Sequence, residues 1–187
     1  GLTEGERREY LAVIAGRART LQSLITSFYD LSRLEGGEYL LQREKVDLYA
    51  SLSGLLAAFY NDFTDRGFDM EVELAEGLPQ VWAVLRIFTN LIRNALEHGE
   101  GRMEIRLYQE GGQVVSRFSN ETHALTAEDV PHVFDRFFTS DKMRTGRNTG
   151  LGLAIVKALA GQMDCRAEAA LEGDMFAITL RWPVERR

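Results

Sequence analysis

The sequence predicts an α+β protein: a two-layer sandwich of helices on one face of a mostly antiparallel or mixed sheet, preceded by a long bundle-forming helix. Three observations carry this. Apolar residues recur every three or four positions from Thr3 to Glu35, they alternate with polar ones in short runs after Phe68, and two pairs of those runs are joined by glycine-bearing turns. With 187 residues and 45% apolar content, the chain is one large domain or one medium domain plus an attachment.

Thr3 is suited to cap the first helix, with Glu6 completing a capping box, and Gly36 and Gly37 end it. Tyr10, Ile14, Leu21, Leu24, Phe28 and Leu31 form its seam, while Leu11, Ala18 and Ile25 widen the stripe. Such a face wants more than one partner helix, and a bundle with another helix or subunit suits it better than packing on its own domain. Gly36 to Val46 reads as a connector. Asp47 then caps a helix carrying Leu48, Leu52, Leu55, Leu56, Phe59 and Phe63. Phe68, Met70, Val72 and Leu74 alternate as a half-buried strand, and a helix over Ile87 to Leu96 follows. The junction Gln80 to Leu85 lacks Gly, Pro, Asn, Asp or Ser, so a break between Ala83 and Val84 is expected there. Met103, Ile105 and Leu107 begin a hairpin that turns at Gly111-Gly112 and returns over Val114 to Phe118. Glu128 to Phe138 is a short helical or irregular piece, Thr149 to Gln162 a helix, and Arg166–Leu171 with Met175–Trp182 a second hairpin around Glu172-Gly173-Asp174.

A net charge of −6 argues against a broad nucleic-acid surface but leaves room for a local phosphate site. A single cysteine, Cys165, excludes an internal disulfide framework and a multi-cysteine metal site, and fits a reducing cytosol. No apolar stretch reaches membrane-spanning length, Gly1 to Glu6 is not a secretory signal, and the abrupt start is expected of a fragment.

Asn90 and Asn94 lie one turn apart in the apolar run Ile87 to Leu96. Two carboxamides sharing a face beside a core each need a partner, so they are either a satisfied pair or a site. Further on, Thr145-Gly146-Arg147-Asn148-Thr149-Gly150-Leu151-Gly152-Leu153 opens directly into a helix, whose N-terminal amides favour an anion. This is neither a Walker loop nor a dinucleotide fingerprint, and it reads as a phosphate site or as a tight glycine turn. Phe134-Asp135-Arg136-Phe137-Phe138 precedes it, too apolar for a free surface. Between these anchors Thr139 to Asn148 carries Lys142, Arg144 and Arg147, either a solvated loop or a lid offering cations to phosphate oxygens.

These three strings, in this order and spacing, resemble the N box, F box and second glycine box of bacterial sensor histidine kinases of the GHKL superfamily. The resemblance implies that residues 47–187 form a catalytic ATP-binding domain of the Bergerat type, 37–46 a linker, and 1–36 the second helix of the dimerisation and histidine phosphotransfer domain, where Leu31-Ser32-Arg33-Leu34-Glu35-x-Gly37 also matches. It implies ATP and Mg²⁺ as ligands, Asn94 holding the metal and Asn90 lining the triphosphate as catalytic residues. His98, Asn120, Phe137, Lys142, Arg144, Arg147, Thr149, Gly150, Leu151, Gly152 and Leu153 complete the implied nucleotide-binding set. The implied reaction is phosphoryl transfer from ATP to a histidine and onward to an aspartate of a response regulator. Implied too are a homodimer through the helix bundle, a cytoplasmic location and a sensor region upstream that is membrane-attached.

The chain departs from the pattern in four places. Asn120 stands where the first glycine box has an Asp that accepts from the adenine amino group, and both glycines of that box are replaced in Asn120-Glu121-Thr122-His123-Ala124. Asn120 keeps an acceptor oxygen without its charge. Glu97 stands where a Lys or Arg is usual, and facing phosphates it would repel them, so it is expected to point elsewhere. His98 either bonds a phosphate or finishes the helix as a cation, and His123 and His132 are expected on the surface. The phosphoacceptor motif is missing, so either the acceptor helix lies upstream or the protein is a kinase-like nucleotide binder without catalysis.

Overall fold

The computed structural model describes residues 3–36, 44–140 and 149–184. Helix α1, Glu4–Glu35, starts at the expected capping box: Thr3 Oγ1 accepts from the Glu6 amide at 3.3 Å, and the Glu6 carboxylate accepts from the Thr3 amide at 2.7 Å. Its apolar stripe is open to solvent over most of its length, with Leu11 64%, Ile14 63% and Ile25 62% exposed. The last turns differ, because Leu31 and Leu34 are buried in the core of the rest of the chain. The stripe that reads as one bundle seam is thus divided between a free face and a docked end.

The expected second helix is two. Strand β1 (Glu44–Val46) falls within the presumed connector, and after it α2 (Leu48–Ala58), capped by Asp47 on the Ala50 amide at 3.1 Å, breaks at Phe59 before α3 (Tyr60–Asp65). An apolar period continues through Phe59 and Phe63, so spacing alone does not reveal the break. Strand β2 (Asp69–Leu74) is followed by β3 (Val81–Ala83), which pairs antiparallel with β1. The turn closes with the Ile87 amide on the Val84 carbonyl at 3.0 Å, and α4 (Arg86–His98) begins without a capping side chain.

Strands β4 (Glu100–Glu110) and β5 (Gln113–Glu121) form the first hairpin, and β6 (Arg166–Glu172) and β7 (Met175–Pro183) the second. Gly111 and Gly112 turn the first with φ of 57° and 78°, a conformation other residues adopt only at a cost. The five-stranded sheet runs β2-β4-β5-β7-β6, with β2 parallel to β4 and every other pair antiparallel, so it is mixed. Helices α4 and α5 (Gly152–Gln162) cover one face. Phe88 of α4 lies on Phe118 and Trp182 of the sheet with ring centroids 5.9 and 5.7 Å apart, and the Trp182 indole N–H donates to Ser116 Oγ at 3.0 Å. The opposite face carries charge instead: Arg102 meets Glu71 at 2.7 Å and Glu104 at 2.8 Å, and Arg181 meets Glu110 at 2.7 Å. Alternation along β4 produces both faces, Met103, Ile105 and Leu107 inward and Glu104 and Arg106 outward. Among the described residues no helix is long and apolar enough to cross a membrane.

Candidate nucleotide site

Residues of α4, of the start of α5 and of the ends of β5 and β7 enclose a cleft of about 190 Å³. Asn90, Asn94 and His98 reach it from successive turns of α4, and Asn120 reaches it from β5. Thr149, Gly150, Gly152 and Leu153 line the opposite wall. The spacing that keeps apolar Ile87, Phe88, Leu91, Ile92 and Ala95 against the sheet turns the intervening polar positions to this cleft.

Asn90 Nδ2 is buried and has no hydrogen-bond partner among the described residues. An unfilled donor of this kind costs about 1–3 kcal/mol, which an oxygen ligand would recover. Across the cleft α5 begins at Leu151 with no capping side chain, so its first-turn amides are open to an anion. Gly150 makes this approach possible. Its φ is +62°, and a Cβ there would lie 2.6 Å from the Phe137 carbonyl carbon and 2.7 Å from the Phe138 oxygen. The Phe137 amide donates to the Gly150 carbonyl at 2.9 Å, tying the phenylalanine segment to the glycine loop.

Asn120 is buried, and its Nδ2 donates to the Glu121 carbonyl at 3.2 Å. That bond turns Oδ1 away from the same carbonyl and keeps an acceptor available. Glu97 does not point away: it lines the cleft beside Arg93. Desolvation raises its carboxyl above the ordinary value, and the charges of Arg93 and Arg66 pull it back. A carboxyl with two cations nearby presents less repulsion to a phosphate than an isolated one. Burial lowers the His98 imidazole below its ordinary value, so it is neutral at pH 7 rather than a helix-terminal cation. The unfolded chain then takes up the proton more readily, and stability falls as the pH drops below about 6.5. His98→Gln is expected to flatten the loss of stability between pH 7 and pH 5 in urea denaturation. An unchanged slope would contradict this placement.

Two expected site residues lie elsewhere. Leu151 is fully buried in the core, because the turn into α5 points it inward. Phe137 has φ 62° and its ring stacks on Phe28 of α1 with centroids 6.2 Å apart. Lys142, Arg144 and Arg147 lie outside the described residues, as does most of the expected lid. His123 and His132 are exposed, each beside an acidic partner. The cleft also includes residues that sequence reasoning missed. Ser140 brings a buried hydroxyl with no partner among the described residues, and Ser27 comes from α1. Arg86 stands four residues before Asn90 on the same helix face, so the spacing that singled out the two asparagines extends to it.

Residues 81–186 match the model of the histidine kinase-, DNA gyrase B- and HSP90-like ATPases. The chain belongs to this ATP-binding family. It carries the GHKL catalytic domain found in sensor kinases. Sensor protein VanSC of Enterococcus gallinarum is 27% identical over 190 aligned positions, covering 97% of this chain and 53% of its own length. The signal transduction histidine-protein kinase BaeS of Escherichia coli (strain K12) is 26% identical over 189, covering 95% of this chain and 40% of its own. The chain thus spans about half or less of the length of these curated relatives. Full-length ShkA, solved in complex with AMPPNP, shares the fold with a TM-score of 0.78 at 20% identity, covering all of this chain and 41% of that one.

Proposed function

We propose that this chain binds Mg-ATP in the α4/α5 cleft and is the kinase portion of a sensor histidine kinase, transferring the γ-phosphoryl group to a histidine on an acceptor helix outside these 187 residues. The observation that carries it is the convergence, across one cleft, of the unpartnered Asn90 amide and the uncapped start of α5. Both present donors to the cleft, and an anionic oxygen ligand would satisfy both.

In this reading Asn94 supplies an amide oxygen to Mg²⁺, Asn90 donates to the triphosphate, and the amides of Gly152 and Leu153 hold phosphate oxygens. Mg²⁺, when bound there, offsets charge on the transferring phosphoryl group. The protein's own contribution is orientation and fixed dipoles, since the donors are in place before the reaction starts. Asn120 Oδ1 accepts from the adenine amino group, and Lys142, Arg144 and Arg147 supply cations to the phosphates. Residues 1–36 act as the second helix of a dimerising bundle and 37–46 as the linker to the catalytic portion, 47–187. The open stripe of α1 supports a second copy of the chain as its partner. Phosphate passes from the histidine to an aspartate of a response regulator, in the cytoplasm, under a sensor region attached to the membrane.

The neutral Asn120 and the missing glycines beside it favour a second reading, a nucleotide-binding scaffold without transfer. Incubation of the chain with γ-labelled ATP, Mg²⁺ and a separately supplied acceptor helix separates the two. Acid-labile label on the acceptor histidine is the expected result, whereas ATP binding without label would move the assignment to the scaffold.

A further inference from the structure

The cleft has a wall that does not belong to the catalytic portion. The last turns of α1 lie along its edge, where Ser27 lines it and Phe28 stacks on Phe137. Leu31 and Leu34 are buried below, and the Gln162 side-chain amide donates to the Leu34 carbonyl at 2.7 Å. One ion pair joins this helix to the cleft itself: Arg86 Nη2 meets Asp30 Oδ2 at 2.6 Å, with the two side chains 36% and 20% exposed. Arg86 therefore serves two surfaces. It is a cleft residue on the same α4 face as Asn90 and Asn94, and its charge is taken up by an aspartate on α1.

We propose that Arg86 is a phosphate-binding residue held in reserve by Asp30, so that docking of the end of α1 and occupation of the cleft by nucleotide compete for one guanidinium. The inference rests on the nucleotide reading of the cleft. A guanidinium between a single carboxylate and a polyphosphate pairs with the higher charge and can do so bidentately. Withdrawal of Arg86 removes the polar tie between α4 and α1, leaving the Phe28–Phe137 stack, the buried leucines and the hydrogen bond from Gln162 to the Leu34 carbonyl to hold the helix. By linkage, whatever loosens the α1 tie tightens nucleotide binding, and nucleotide loosens the tie by the same factor. Signals arriving along α1 would reach the cleft by this route without touching Asn90 or Asn94.

A double-mutant cycle on the full 187-residue chain tests it, reading Mg-ATP affinity by calorimetric titration. Asp30→Asn frees the guanidinium and is expected to tighten binding about fivefold or more. Arg86→Gln weakens binding and makes Asp30→Asn silent in its background. Arg86→Lys, which keeps the charge and loses the fork, falls between them. Affinity unchanged by Asp30→Asn, or tightened equally with and without Arg86, would overturn the shared use of this residue while leaving the nucleotide site intact. Failure of the unmutated chain to bind ATP at all would overturn the nucleotide reading and this inference with it.

Discussion

Replacement of Gly150 by alanine is expected to abolish measurable nucleotide binding while the chain stays folded. Gly150 combines two constraints that usually occur separately, a φ of +62° and backbone atoms packed where a side chain would begin. Alanine in this conformation costs about 1 kcal/mol before any contact is counted. The added Cβ would then sit 2.8 Å or less from the Phe137 Cα, the Phe137 carbonyl carbon and the Phe138 oxygen, and none of these is the loose end of a side chain. Relief requires the Phe137–Ser140 stretch and the start of α5 to separate, and the hydrogen bond from the Phe137 amide to the Gly150 carbonyl resists that. The expected loss of stability is about 2–4 kcal/mol, within what a domain of ordinary stability survives. The site is less tolerant, because Ser140 and the α5 amides are placed by the two segments that move. Urea denaturation together with an ATP titration reads both effects, and wild-type affinity in Gly150→Ala would contradict the role given to this turn.

Asn94→Ala is expected to weaken binding less severely than Gly150→Ala and to leave stability nearly unchanged. Asn94 is half-buried on the cleft side of α4, and alanine is a better helix former than asparagine, so the helix itself loses nothing. In the proposed function the substitution removes a hard oxygen ligand for Mg²⁺. The expected result is Mg-ATP binding weaker by about tenfold or more, close to 1.4 kcal/mol, with an unchanged melting temperature. Asn90→Ala differs in kind, since it removes a buried donor that has no partner among the described residues and should raise stability slightly as it lowers affinity.

Residues with a strong period told the fold correctly. The alternation of Met103, Ile105 and Leu107 specified β4 and its inward face, the adjacent glycines specified the turn, and the 3.6-residue pattern specified α4 and α5. Strands β1 and β3 escaped because three residues each are too few to alternate, and their pairing joins Glu44 to Ala83 across a long stretch of chain. The helix break at Phe59 escaped for the opposite reason, a stripe that continues across it. Within the site, Asn90, Asn94, Asn120, Thr149, Gly150 and Gly152 were legible from polar residues interrupting apolar runs and from glycines ahead of a helix, and all six line the cleft. Leu151 and Phe137 lie within the motif strings, but their side chains turn to the core and to α1. Ser27 and Asp30 gave no signal, because a polar residue on a long helix looks like any solvated position until the helix is seen docked.

In the proposed function the cleft between α4 and α5 is a Mg-ATP site organised by Asn94. Titration of ATP into the unmutated chain and into Asn94→Ala, each with Mg²⁺ and with the metal chelated, tests it most directly. Mg²⁺ is expected to strengthen binding to the unmutated chain and to do little for the variant, so that the two converge when the metal is removed. Equal binding by both proteins in the presence of Mg²⁺ would contradict it.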